Sequence, residues 1–358
     1  MSAVDDLPRT FHPGDVISGY RLLEIIGQGS SGIVWKAQSN NQTVAIKVMH
    51  SHLLEAKRSD IHLRQFHQEV KILAALIRHP HIPRLLLVEM KALPPYFVMS
   101  LAPGQSFEEE LASGVMMMRP IKARLQVLAL VAGTIDFIHQ NSILHRDIKP
   151  GNIRGWHKPY LVDFSISSPL DQLHQQDPHH GTNLYKPPYP DYHPGIFDDI
   201  FAFAVVCYQL IFNRHPILSS FELSDNLVQL MYDKLSSKTW YKPTKLPSAQ
   251  LPLFLQGANL DALDKIFERA FHPETGYANA QQIVDALADV IMDINNVDYV
   301  DLVPDEENLS EAVALLSRNF TDNEIRVNAL DTDIRTEPSR GQSVATLVKS
   351  LLSLLRKG

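Results

Sequence analysis

Apolar positions recur in short blocks through the first hundred residues and at helical spacing through most of the next two hundred. Residues 20–26 are apolar-rich, 33–37 follow a glycine cluster, and 43–49 are rich in Val, Ile and Ala; 85–89 and 96–101 continue this β-like series. One helical pattern interrupts it at 60–78, where Ile61, Phe66, Val70, Leu73 and Leu76 share a side and the pattern stops at Pro80. After Pro103-Gly104 the character changes, and 120–140, 198–213 and 258–271 carry long apolar periodicity. A small β-rich unit followed by a larger helical one predicts an α+β arrangement in two lobes, with its junction near 102–104. The expected divisions are a leader at 1–18, a β-rich lobe at 19–101, a helical lobe at 102–292 and an extension at 293–358.

Two stretches lack this regularity. Residues 163–197 are rich in Pro, His, Asp and Ser, and so long a stretch without periodicity marks a functional or disordered segment. The extension begins acidic, turns polar around 331–343 and ends in an amphipathic stretch at 342–357. There Val344, Leu347, Val348, Leu351, Leu352 and Leu355 stand at helical spacing near Lys349, Arg356 and Lys357. It reads as a helix that docks on the same chain or a partner, the cationic face being thin for a membrane surface.

Composition narrows the function classes. Of 358 residues, 45% are hydrophobic and 20% charged, as in an ordinary soluble protein. A net charge of -7 argues against nucleic-acid binding by overall charge. The one cysteine, Cys207, permits no intrachain disulfide and fits a reducing compartment, so a cytoplasmic location is expected. Lying in an apolar run, it reads as an inert buried thiol. Residues 1–10 show no secretory signal, and the longest near-apolar run, 200–212, is too short for a transmembrane segment. The 16 histidines match no zinc spacing.

The candidate chemistry begins at Gly27-Gln28-Gly29-Ser30-Ser31-Gly32. Lying between two strands, it suggests a hairpin, against a strand-to-helix dinucleotide motif. It is either a structural turn or a loop whose backbone amides approach phosphates. Lys47 ends the apolar run Ala45-Ile46-Lys47, where a buried ammonium needs an anion; Glu69 in the following helical pattern is the candidate. Taken singly, each also reads as a solvated surface charge. The run His145-Arg146-Asp147-Ile148-Lys149-Pro150-Gly151-Asn152-Ile153 packs a carboxylate, cations and an amide into one short loop. Leu161-Val162-Asp163-Phe164 then leads an apolar strand into a second carboxylate. Phosphoryl transfer needs these parts: a carboxylate to orient the attacking hydroxyl and accept its proton, oxygen ligands for Mg²⁺, and a lysine to offset phosphate charge.

From about 20 to 291 the sequence resembles the eukaryotic-type (Hanks-type) serine/threonine protein kinase family, most specifically in the His145–Ile153 run. The resemblance implies a bilobal kinase-like fold that binds Mg-ATP between its lobes. The γ-phosphoryl group would pass to serine or threonine hydroxyls of a protein substrate, with autophosphorylation. Lys47 would hold the α- and β-phosphates and pair with Glu69. Asp147 would be the catalytic base, Lys149 would contact the γ-phosphate, and Asn152 and Asp163 would ligate Mg²⁺. Gly27, Gly29, Gly32, Val34 and Ala45 would line the nucleotide site. Met99 would be the gatekeeper, and backbone groups of Ser100 and Ala102 would meet adenine. Asp199 would anchor the catalytic loop; Leu73, His145 and Phe164 would join a stacked spine. The activation segment would run from Asp163 to Pro188, ending through Gly181-Thr182-Asn183-Leu184-Tyr185. Arg146 beside Asp147 admits control by a phosphate, with Ser167, Ser168 and Thr182 the nearby hydroxyls; absence of such a switch is the alternative.

Four positions depart from the family pattern. Ser165 replaces the glycine after Asp163-Phe164. Pro187-Pro188-Tyr189 replaces Ala-Pro-Glu, and Gly276 stands where the arginine partner of that glutamate is usual, so both charges are missing together. Arg154 occupies an apolar position beneath adenine, where its stem could cover the base or its guanidinium stack on it. Ala204 replaces a common glycine in a helix, a change that favours helix. Arg154 and Ser165 motivate a competing expectation, a catalytically inactive binding or regulatory module of the pseudokinase type. A small-molecule kinase of the same fold is a third.

Overall fold

The first strand begins earlier than the apolar pattern indicates. The computed structural model describes residues 10–39, 42–55, 59–175, 182–190, 192–218, 226–247, 251–252, 255, 259–293 and 326–327. In it β1 (Val16–Ile17) already pairs antiparallel with β2 (Tyr20–Gln28), so the sheet starts inside the stretch read as a leader. Then come β3 (Gly32–Ser39), β4 (Gln42–Met49), α1 (His52–Glu55), α2 (Ser59–Ala75), β5 (Leu85–Glu89) and β6 (Tyr96–Ser100). The sheet order is β1-β2-β3-β4-β6-β5, with the dipeptide Arg326–Val327 parallel to β5 at its outer edge.

Strand alternation sets what this sheet presents. In β4, Val44, Ile46 and Val48 pack with Leu22, Trp35, Ala37 and Val98 in one apolar cluster. The intervening Ala45 and Lys47 therefore turn to the opposite face, toward α2 and the helical lobe. Buried there, Phe66 of α2 and Phe97 of β6 stack with centroids 5.3 Å apart. That second cluster runs without a break through α2 into the helical lobe, so one core joins the two lobes.

The helical lobe contains α3 (Phe107–Ala112), α4 (Val115–Met118), α5 (Ile121–Gln140), α6 (Ile196–Phe212), α7 (Leu227–Ser236), α8 (Leu260–Phe271) and α9 (Gln281–Asp293). Short strands β7 (Ile143–Leu144), β8 (Ile153–Arg154), β9 (Tyr160–Leu161) and β10 (Ser168–Pro169) frame the loops between α5 and α6. Helix α6 is buried on nearly every face and holds Cys207, whose thiol is pushed well up by burial. No helix among the described residues is long and apolar enough to cross a membrane. The amphipathic stretch 342–357 lies outside the described residues.

The end of the irregular segment shows how a missing ion pair is replaced. The Tyr189 hydroxyl donates to the Phe271 carbonyl at 2.6 Å, closing the C-terminus of α8 onto the segment before α6. The Phe197 ring fills the space at Gly276, where a Cβ would come within 3.1 Å of it. Tyr189→Phe is expected to lower stability by about 1 kcal/mol, the net worth of one hydrogen bond. Urea unfolding should show the loss as a lower midpoint at unchanged slope.

Candidate active site

The buried carboxylate of Asp199, near the start of α6, organises the loop after β7. It accepts from the His145 and Arg146 amides, each at 2.8 Å, and from His139 Nε2 at 2.9 Å. Burial would raise its pKa, but these donors hold the carboxyl below its usual value. The bonds also hold Arg146 in the left-handed region at φ 68°, a conformation side chains rarely adopt without support. His145 is buried, its Nε2 faces the Val162 carbonyl at 3.1 Å, and its Nδ1 accepts from the Asp147 amide at 3.3 Å. A carbonyl can only accept, so the proton sits on Nε2. Burial pushes this imidazole's pKa down, which keeps it neutral. Its ring meets Phe164 edge-on at 4.7 Å, and Leu73 is buried in the same core.

Asp147 is the hub of the loop. Its Oδ2 accepts from Lys149 Nζ at 2.7 Å and from Asn152 Nδ2 at 2.8 Å. Its Oδ1 accepts from the Thr182 hydroxyl at 2.8 Å, and Thr182 Oγ1 in turn accepts from Lys149 at 2.8 Å. Asn152 also donates to the Asp147 carbonyl at 2.8 Å. Both of its donations use the amide nitrogen, leaving the side-chain oxygen as the atom that could face a cation.

Across the cleft, Lys47 Nζ reaches the two Glu69 oxygens at 2.6 and 2.8 Å and Asp163 Oδ1 at 3.5 Å. Burial would lower the lysine pKa, but the two carboxylates hold it above its usual value, so the ammonium stays charged. Asp163 has φ 64°, a left-handed backbone that aspartate tolerates better than most residues. Its carboxyl, which burial would raise, is held below the ordinary range by Lys47 and by hydrogen bonding from Ser165. Ser165 itself needs no left-handed conformation, so its Cβ is accommodated.

The strands supply a wall to this cleft. Cross-strand partners share a face, and the register places Gly27 opposite Val34, Val34 opposite Lys47, and Ala45 opposite Met99. Gly32 has a steric reason to lack a side chain, since a Cβ there would lie 2.3 Å from the Val48 carbonyl oxygen. Gly29 faces open space, and the loop is tied by His50 Nε2 to the Gly29 carbonyl at 2.9 Å. Ser100 is the last residue paired with β4, opposite Val44, and Ala102 follows in the connector to α3. The Arg154 guanidinium donates to the Gly104 carbonyl at 2.9 Å and lies 4.0 Å from Glu109, so its charge is engaged at the exit of that connector.

The structure thus gathers Lys47 with Glu69 and Asp163, and Asp147 with Lys149, Asn152 and Thr182, and the Val162 amide, donating to the Asn152 carbonyl at 2.9 Å, ties the two groups together. The spacing readings missed three features. Thr182, noted as a hydroxyl near Arg146, is bonded into the Asp147–Lys149 network. Its signal was the GT-x-x-Y stretch. His139 and His50 gave no sequence signal, because each acts across a tertiary contact. Ser167 and Ser168 are buried, Ser167 donating to the His145 carbonyl at 3.0 Å, so neither presents a hydroxyl in this conformation.

A family model for the protein kinase domain matches residues 20–298. The chain belongs to the protein kinase family, in its Hanks-type serine/threonine branch. It is 29% identical over 290 residues to the serine/threonine-protein kinase Pkn1 of Myxococcus xanthus, covering 75% of this chain and 38% of that protein. Against the DNA damage-responsive serine/threonine-protein kinase RqkA of Deinococcus radiodurans it is 30% identical over 227 residues, covering 59% of this chain and 32% of that protein. The chain therefore spans about a third of the length of these curated relatives. The crystal structure of the Mycobacterium tuberculosis PknI kinase domain superimposes with a TM-score of 0.53 at 20% identity, covering 80% of this chain and all of that one, which shows the fold.

Proposed function

We propose that the chain is a serine/threonine protein kinase that moves the γ-phosphoryl group of ATP to a hydroxyl of a protein. The observation that carries this is the joint presence of the Lys47–Glu69 pair at 2.6 Å and the Asp147–Lys149–Asn152–Thr182 network across one cleft. The donor set fits a nucleotide with a hard cation: one partly exposed carboxylate, Asp163, one amide oxygen, Asn152, and a glycine loop with open space at Gly29. A bound Mg²⁺ supplies charge neutralisation between phosphate oxygens.

The chain's own residues then have distinct tasks. Lys47, held charged by Glu69, offsets the α- and β-phosphates. Asp147 orients the acceptor hydroxyl and takes its proton, while Lys149 sits beside it to offset charge on the transferred group. Gly27, Gly29, Gly32, Val34, Ala45, Met99, Ser100 and Ala102 line the nucleotide site. The β-rich lobe begins with β1 at Val16 and ends near 101, the helical lobe is 102–292, the location is cytoplasmic on the strength of a lone buried thiol, and 342–357 docks on the same chain or a partner. The inactive-module alternative rested on Arg154 and Ser165. Arg154 has its charge engaged by Gly104, and Ser165 supports Asp163 by hydrogen bonding.

The acceptor class is tested by offering matched peptides with Ser, Thr or Tyr, beside a panel of sugar and aminoglycoside hydroxyls. Transfer to Ser and Thr alone is expected, and chelating the divalent cation should abolish it. Transfer only to a small molecule would overturn the reading.

A further inference from the structure

Carbonyl oxygens in a glycine-rich turn work against a polyanion, because only the N–H side of a peptide attracts phosphate. In the turn between β2 and β3 three of these oxygens are engaged. Gly32 O accepts from the Gly29 amide at 3.0 Å, which closes the hairpin, and Ser31 O accepts from the His50 amide at 3.3 Å. Gly29 O faces His50 Nε2 at 2.9 Å. A carbonyl can only accept, so Nε2 carries the proton and donates it. One residue, the first beyond the end of β4, thus holds two oxygens of the turn, one through its backbone and one through its side chain. The register explains its reach: Gly32 opposite Met49 is the last rung of the β3–β4 ladder, which leaves His50 beside Ser31. His52 stacks on the His50 ring, with centroids 5.0 Å apart and planes 29° from parallel, and so steadies its orientation.

The planar trans peptide carries this hold to the other side of the chain. Its C=O and N–H point in opposite directions, so turning the Gly29 carbonyl toward His50 turns the Ser30 amide away from it. Among the described residues the Ser30 amide has no hydrogen-bond partner, and both Gly29 and Ser30 are exposed. Glycine at 29 brings no rigidity of its own, and a Cβ there would meet nothing within 4 Å. We propose that His50 is a positioning residue for the nucleotide, holding the Gly29–Ser30 peptide with its amide presented to the phosphates so that the turn is ordered before ATP arrives. This rests on the kinase reading above. The imidazole acts through the peptide it holds and not by contact with phosphate. Ordering the turn in advance removes from binding the entropic cost of fixing it.

Isothermal titration calorimetry on the full chain, with Mg-ATP and separately with adenosine, tests this. His50→Ala should weaken Mg-ATP by about five- to tenfold, the worth of one hydrogen bond, and leave adenosine, which has no phosphates, within about a factor of two. His50→Gln keeps an N–H donor at about the reach of Nε2 and should restore most of the ATP affinity. His50→Asn, whose donor stands nearer the backbone, should not. In steady-state kinetics His50→Ala should raise KM for ATP by the same ratio and change kcat less. Wild-type ATP affinity in His50→Ala overturns the proposal. So does an equal loss for ATP and adenosine, which marks a general change of the lobe, and so does a His50→Gln variant as weak as His50→Ala. If the wild type binds neither Mg-ATP nor adenosine, the kinase reading falls and this role of His50 falls with it.

Discussion

Asp147→Asn lowers kcat by about a hundredfold to ten-thousandfold, the range a positioned general base contributes. The environment of the carboxylate explains why an isosteric amide cannot substitute. Both oxygens of Asp147 accept, Oδ2 from Lys149 and Asn152, and Oδ1 from the amide and hydroxyl of Thr182. An asparagine must turn its NH₂ toward one of these donor pairs, which costs it hydrogen bonds as well as basicity. The thermal midpoint should move little, because the loop's backbone is held by Asp199. Steady-state kinetics with a nucleotide-binding titration separates the outcomes. A loss confined to kcat supports the assignment, whereas a loss of nucleotide affinity with intact kcat would place Asp147 outside the chemistry.

Lys47→Met has the second large effect, and it should act on both stability and rate. The side chain is 5% exposed and that of Glu69 is 3% exposed. Removing the ammonium leaves a buried carboxylate without its partner, at a cost of about 3 kcal/mol. Transfer should also fall by two orders of magnitude or more, since the phosphates lose a fixed positive charge, by the range seen when a preorganised electrostatic contact is deleted. The double variant Lys47→Met with Glu69→Leu separates the two effects. It should recover most of the unfolding free energy, because both charges leave together, and recover none of the rate. A double variant that regains activity would show that the pair is structural.

Periodicity located the elements because most of them bury one face. Helix α2 was expected at 60–78 and spans Ser59–Ala75; α5 was expected at 120–140 and spans Ile121–Gln140. β1 escaped because two residues, Val16 and Ile17, carry no period. The chemistry was legible because the His145–Ile153 loop concentrates Asp147, Lys149 and Asn152 within six residues of sequence, while Lys47, Glu69, Asp163 and Thr182 had to be brought in by the fold. The compensations were not legible, because each is a contact between residues far apart in the chain. Tyr189 reaches the Phe271 carbonyl, Phe197 fills the room at Gly276, and Arg154 turns to the Gly104 carbonyl. The joint loss of the two charges at Tyr189 and Gly276 reads along the chain as a consistent replacement, and the contacts that take over are visible only in the fold.

The most direct test of the central claim is mass spectrometry of a serine peptide after incubation with purified wild-type protein, ATP and Mg²⁺, beside Asp147→Asn under the same conditions. Phosphoserine formed by the wild type and reduced at least a hundredfold in the variant is the predicted result. Equal phosphorylation by both proteins, or none by a wild type that binds the nucleotide, would contradict it.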